Sequence, residues 1–181
     1  MDPIKYLSIC SGIEAATVAW HPLGWHPVAF SEIEKFPSAV LAHHHPTVPN
    51  WGDMTRFQEW PYEPVDLLVG GTPCQDYSVA GLRAGMAGHR GALTRTYVEI
   101  AERFKPRWIL WENVPGVFSS NAGRDFAALL CDLGACGYAH LMDSPLRAGV
   151  DAVPAMVRPK PRLVSSGEAV TSDPAMPARL G

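Results

Sequence analysis

Val65-Asp66-Leu67-Leu68-Val69, followed at once by Gly70-Gly71-Thr72-Pro73-Cys74-Gln75, is the stretch that decides how this chain is read. An apolar run closed by two glycines and a proline predicts a buried strand ending in a tight loop. In open parallel sheets, ligands and reacting groups gather at the carboxyl ends of the strands. The position of Cys74 on such a loop makes it a candidate nucleophile rather than a core filler.

The same pattern repeats on either side. Tyr6-Leu7-Ser8-Ile9-Cys10 reads as a buried strand broken by Ser11-Gly12, and residues 13–20 have helical length and spacing. Val28-Ala29-Phe30-Ser31 reads as a second strand closed by Glu32, and residues 34–43 follow as a helix with Phe36, Val40 and Leu41 on one side. Residues 50–55 predict a third short strand or turn. After the fourth strand, at 65–69, residues 92–104 form a crossover helix, with Leu93, Tyr97, Ile100, Ala101 and Phe104 at helical spacing. Trp108-Ile109-Leu110-Trp111 is the fifth strand, and residues 126–133 are a helix stopped by Gly134 and Gly137. Strands alternating with helices predict a doubly wound, mostly parallel α/β sheet.

Composition narrows the class. With 181 residues, 47% apolar and 18% charged, the chain is sized for one folded domain. No apolar stretch reaches the ~20 residues of a membrane span and no secretory leader is evident, so a cytoplasmic protein is the default expectation. The formal charge of -3 does not advertise a nucleic-acid partner, although a local basic patch can bind phosphates on a slightly acidic chain. The four cysteines, Cys10, Cys74, Cys131 and Cys136, contain no Cys-x-x-Cys pair, which predicts reduced thiols. His43-His44-His45 lacks the ligand spacing of a metal site, and no metal is expected.

Ser11-Gly12, Glu32, Gly52-Asp53, Pro73-Cys74-Gln75 and Glu112-Asn113-Val114 each fall just after a predicted strand, in that order. With this ordered series the sequence resembles the catalytic domain of the DNA cytosine-5 methyltransferases of bacterial and phage modification systems, from about Tyr6 to Tyr138. The resemblance implies a Rossmann-like, S-adenosylmethionine-dependent methyltransferase sheet. It also implies transfer of a methyl group from S-adenosylmethionine to C5 of cytosine through a covalent adduct at C6. Cys74 is then the nucleophile, and Glu112 the acid that relieves charge at N3 of the base. Pro73, Gln75, Ser78, Asn113 and Val114 support the base and the loops. Cys10, Ser11, Gly12, Glu32 and Asp53 contact the cofactor, Glu32 at the ribose hydroxyls and Asp53 at the adenine amine. Arg83, Arg90 and Arg95 are candidate phosphate contacts. The partner implied is double-stranded DNA with the target cytosine flipped out.

Cys10 followed by Gly12-Ile13-Glu14-Ala15 departs from the aromatic residue and Gly-x-Gly-Gly usual in that family, and resembles a phage-associated variant. Beyond Tyr138 the family's Gln-x-Arg-x-Arg segment, target-recognition domain and returning helix are not recognisable. The expectation is therefore a partial methyltransferase domain over residues 1–140, incomplete at its carboxyl end, with an irregular, proline-punctuated tail over 141–181. The prolines around Val157-Arg158-Pro159-Lys160-Pro161-Arg162 argue against a central strand there. That predicts an apolar sheet edge left uncovered. Two functions follow: an enzyme, with a second chain as candidate carrier of target recognition, or a catalytically silent remnant that at most binds S-adenosylmethionine.

Overall fold

Short apolar runs of strand length pair into a parallel sheet covered by helices, and four such runs lie side by side here. The computed structural model describes residues 3–73, 89–141 and 155–157. Strands β1 (Lys5–Ile9), β2 (His26–Ser31), β3 (Leu67–Gly70), β4 (Trp108–Trp111), β5 (Ala139–Leu141) and β6 (Ala155–Val157) form one sheet in the order β2-β1-β3-β4-β6-β5. The first four are parallel, and β6 runs antiparallel to both its neighbours. Helices α1 (Ala15–Trp20), α2 (Lys35–His44), α3 (His89–Phe104) and α4 (Arg124–Ala135) connect and cover the strands.

Side chains alternate across the pleat. Leu7, Ile9, Leu68, Ile109 and Trp111 share a core with Tyr97, Ile100, Ala101 and Phe104 of α3 and with Leu129 and Leu133 of α4. Tyr6, Leu67 and Val69 point the other way, against Trp20, Trp25, Trp108 and Leu110. The Tyr97 hydroxyl, fully enclosed, donates to the carbonyl oxygens of Leu110 (3.2 Å) and Leu68 (3.4 Å), which pins α3 to β3 and β4.

Register decides the position of the site. Ile9 stands opposite both Ser31 and Gly70, and Gly70 stands opposite Trp111, so the carboxyl ends of the four parallel strands form one row. The chain leaves β1 toward β2 on one side and later returns to β3 on the other. The switch between β1 and β3 opens the crevice that such sheets use for ligands. Gly70 permits this pairing, because a Cβ there would sit 2.1 Å from the carbonyl oxygen of Ile9.

Of the strand or turn expected at residues 50–55 the turn is found, with a single parallel bridge between Phe30 and Asn50, because Gly52 turns the chain at φ 73° and Asp53 caps a 3-10 turn over Met54–Glu59. Two expectations change. Helix α1 begins at Ala15 rather than at 13, since Glu14 takes a left-handed φ of 67° and caps it. Within the stretch expected to be irregular, Ala155–Val157 pairs with β4 and β5, so the far edge of β4 is covered, contrary to expectation. Pro154 and Pro159 flank these three residues in sequence and fall outside the strand, which removes the objection they raised.

Candidate active site

The loops that leave the ends of β1, β2 and β3 contribute, with the Gly52–Met54 turn and Leu93 of α3, to one cavity of about 250 Å³, lined by Cys10, Ser31, Glu32, Ile33, Glu34, Gly52, Asp53, Met54, Pro73 and Leu93. Its walls hold three carboxylates, and no lysine or arginine is among these lining residues. That lining repels phosphates and favours a neutral or cationic ligand rich in donors. Gly12 and Gly52 have left-handed backbones, at φ 57° and 73°, with open space where a Cβ would stand. Their bare backbone therefore leaves room for close approach of a ligand.

Glu32 is half-buried at the end of β2. Its Oε2 accepts from the Gly12 N–H at 2.8 Å, and its Oε1 accepts from the N–H groups of Ile33 and Glu34 at 2.8 Å each. The carboxylate is thus aimed before any ligand arrives, with lone pairs still available. Asp53 is exposed and accepts twice at Oδ1, from the Thr55 N–H and hydroxyl, both at 2.8 Å. Helix capping is therefore one of its roles. Cys10, at φ 51°, donates its thiol proton to Met54 Sδ at 3.6 Å. Burial, and then the Glu32 carboxylate, push that thiol up to about 11, so it is protonated and unreactive at neutral pH.

A second cluster joins the ends of β3 and β4. Thr72, 3% exposed, shares a hydrogen bond with the Thr94 hydroxyl (3.2 Å) and accepts from Trp111 Nε1 at 3.3 Å. Asn113 Nδ2 donates to the Thr72 carbonyl oxygen at 3.1 Å, and Asn113 Oδ1 accepts from the Val114 N–H at 2.9 Å. The Glu112 N–H donates to the Gly70 carbonyl oxygen at 3.2 Å. A Cβ at Gly71 would lie 2.6 Å from Glu112 Oε2, so the exposed carboxylate of Glu112 rests against the bare backbone of Gly71.

The expected site residues Cys10, Ser11, Gly12, Glu32, Asp53, Pro73, Glu112, Asn113 and Val114 thus sit on adjacent loops along one sheet edge. Cys74, Gln75, Ser78 and Arg83 lie outside the described residues. Arg90 falls in the first turn of α3, and Arg95 is exposed on the same helix.

Residues 4–143 match the family model of the C-5 cytosine-specific DNA methylases. The chain belongs to that family. It is 53% identical over 146 residues to a DNA N-6-adenine-methyltransferase of Escherichia phage P1, spanning 74% of this chain and 19% of that protein. It is 33% identical over 142 residues to the orphan methyltransferase M.Rho11sI of Bacillus phage rho11s (76% and 28% covered). To the type II methyltransferase M2.BsuMI of Bacillus subtilis it is 34% identical over 139 residues (75% and 35%). The chain therefore spans between 19% and 35% of the length of these curated relatives. A DNA modification methyltransferase encoded within an Escherichia coli prophage shares the fold, with a TM-score of 0.64 and 18% identity over 86% of this chain and 47% of that one. Among the described residues no helix is long and apolar enough to cross a membrane, and no cluster of metal-ligating side chains occurs.

For this methylase-family domain, sequence reasoning missed the residues beneath the loops: Ser8, Glu14 and Thr17 under the first, Thr72, Thr94 and Trp111 under the second. Thr72 carried a signal only in its place between Gly-Gly and Pro-Cys. Glu14 carried another, as an acid directly before the helical Ala-Ala-Thr run.

Proposed function

We propose that this chain is the cofactor-binding and catalytic part of a DNA cytosine-5 methyltransferase that uses S-adenosylmethionine. The observation that carries the reading is the carboxylate-lined cavity at the strand switch, which reaches Pro73, the residue before Cys74, one loop away from Glu112. The cavity suits this cofactor: Glu32 offers two fixed oxygens to a pair of ribose hydroxyls. Asp53 can accept from an amine, Met54 and Leu93 give apolar contact, and the acidic lining matches a sulfonium. When bound, S-adenosylmethionine supplies an electrophilic methyl group.

The chain's own residues do the rest. The Cys74 thiolate adds to C6 of cytosine, forming an S–C6 bond and pushing electron density onto C5. The Glu112 carboxyl group protonates or hydrogen-bonds the base at N3 and so relieves the charge that this addition places on the ring. Asn113 holds the Glu112 loop to the loop that leads into Cys74. C5 then forms a bond to the methyl group as the sulfonium–methyl bond breaks, leaving the cofactor as a neutral thioether; transfer of the C5 proton to a water molecule breaks the S–C6 bond and returns the thiolate. The target base must leave the duplex to reach Cys74. Cytosine C5 is preferred over adenine N6 as the target because the family model covers residues 4–143 of this chain. The phage P1 protein, named for adenine, has most of its length outside the matched 19%.

The deciding experiment incubates the chain with tritiated S-adenosylmethionine and duplex DNA containing 5-fluorocytosine, whose fluorine cannot leave as the proton does. A covalent protein–DNA adduct that disappears in Cys74→Ala is expected, and digestion of ordinary methylated DNA should yield 5-methylcytosine. N6-methyladenine with no adduct would overturn the reading. A second reading, a module that binds S-adenosylmethionine without methylating DNA, draws on the cavity's lining, which includes Glu32 and Asp53 but not Glu112. Cofactor binding with neither adduct nor product would select it.

A further inference from the structure

Glu14 is a buried carboxylate that the reaction above does not use. It is 1% exposed, and burial holds its carboxyl above the usual carboxylate range. Its backbone sits at φ 67°, a conformation glycine holds freely and other residues adopt at a cost. Its side chain accounts for its presence. Oε2 accepts from the Ser8 hydroxyl at 2.7 Å, and Oε1 accepts from the N–H and the hydroxyl of Thr17 at 3.1 Å each. The bonds continue beyond it. The Ser8 carbonyl oxygen accepts from the Ser11 hydroxyl at 3.0 Å, and Ser11 Oγ accepts in turn from the Ser31 N–H at 3.1 Å. The Ser11 N–H donates to the Ser31 carbonyl oxygen at 3.2 Å, and the Ser31 hydroxyl donates to the Gly52 carbonyl oxygen at 2.7 Å. One connected network thus runs beneath the cavity from Glu14 to Gly52 and ties together the loops that carry Cys10, Glu32 and Asp53.

We infer that Glu14 is a positioning residue for the cofactor cavity: its carboxylate fixes the turn between β1 and α1 so that the Gly12 N–H meets Glu32 and the backbone of Gly12 stays bare. Hydrogen bonds to a buried carboxylate are stronger than neutral ones, and its removal strips Ser8 and the Thr17 N–H of their acceptor. The inference rests on the S-adenosylmethionine reading above.

Glycine and glutamine at this position separate backbone from side chain. Calorimetric titration of the chain with S-adenosylmethionine, alongside a thermal melt, compares wild type with Glu14→Gly and Glu14→Gln. Glycine keeps the left-handed turn without strain but lacks the carboxylate, and its affinity is expected to fall roughly tenfold or more, while glutamine, which keeps the acceptor for Thr17, stays within about threefold of wild type. If Glu14→Gly folds poorly, Ser8→Ala cuts the same link from the other end and is expected to lower affinity in the same direction. Wild-type affinity in Glu14→Gly, or in Ser8→Ala where the glycine variant does not fold, overturns the positioning role alone. So does Glu14→Gln binding as weakly as Glu14→Gly. A wild-type chain that binds no S-adenosylmethionine overturns the functional reading and this inference with it.

Discussion

Asn113 Nδ2 donates to the Thr72 carbonyl oxygen at 3.1 Å, so the loop that carries Glu112 is tied directly to the loop that leads into Cys74. One hydrogen bond of this kind contributes about 1 kcal/mol to stability, yet a misplaced acid costs far more in a reaction that depends on alignment. Asn113→Ala is expected to lower the rate of adduct formation on 5-fluorocytosine DNA by roughly 100-fold while moving the melting temperature by only a few degrees. Parallel melts and adduct gels check it; equal losses in both would mean that Asn113 serves only the fold.

The two glycines that end β3 should respond differently. A methyl group at Gly71 meets a carboxylate oxygen of Glu112 at 2.6 Å, where the side chain can swing away toward solvent, and the Glu112 carbonyl oxygen at 3.1 Å, which need give by only a few tenths of an ångström. Gly71→Ala is therefore expected to fold and to lose activity. At Gly70 the methyl meets the backbone oxygen of Ile9 at 2.1 Å, where neither partner can move without parting β1 from β3. Gly70→Ala is expected to cost about 3 kcal/mol or more, visible as insolubility or a much lower melting point.

Cys10 should resist thiol reagents. Its value of about 11 means that iodoacetamide near pH 8 alkylates exposed Cys131 well before Cys10, and mass mapping of the labelled peptides would show the order. The sign for stability follows from the upward shift. The fold favours the protonated thiol, so this contribution is full below the free thiol's 9.0 and is lost as pH rises through about 11. Because the Glu32 carboxylate is the second cause, Glu32→Gln should lower the thiol's value, and thiolate absorbance across that window would record it.

Tyr97→Phe removes the two hydrogen bonds that pin α3 to β3 and β4 and leaves both carbonyls short of a side-chain partner. A loss of about 1–2 kcal/mol in urea unfolding is expected. No change would mean that those carbonyls are satisfied by the strand ladder alone.

The strands and crossover helices were legible because their apolar runs and helical periods are strong local signals, and the order of residues such as Glu32 and Glu112 followed from the strand ends. What the sequence hid depends on contacts between distant segments. Thr72 reads as a loop residue until Thr94, Trp111 and Asn113 fold around it. Glu14 falls inside the stretch 13–20 read as helical, because its burial depends on Ser8 and on a left-handed backbone that no periodicity announces. Ala155–Val157 was obscured by neighbouring prolines, since a strand of three residues is too short to carry an alternation of its own.

That short strand has a bearing on synthesis. Among the described residues β5 pairs only with β6, which comes after it in the chain. A polypeptide emerging from the ribosome can assemble β1 to β4 as each appears, but Ala139–Leu141 has no ladder to join until Ala155–Val157 has been translated. A stop codon between them would therefore cost the sheet two strands while deleting only one.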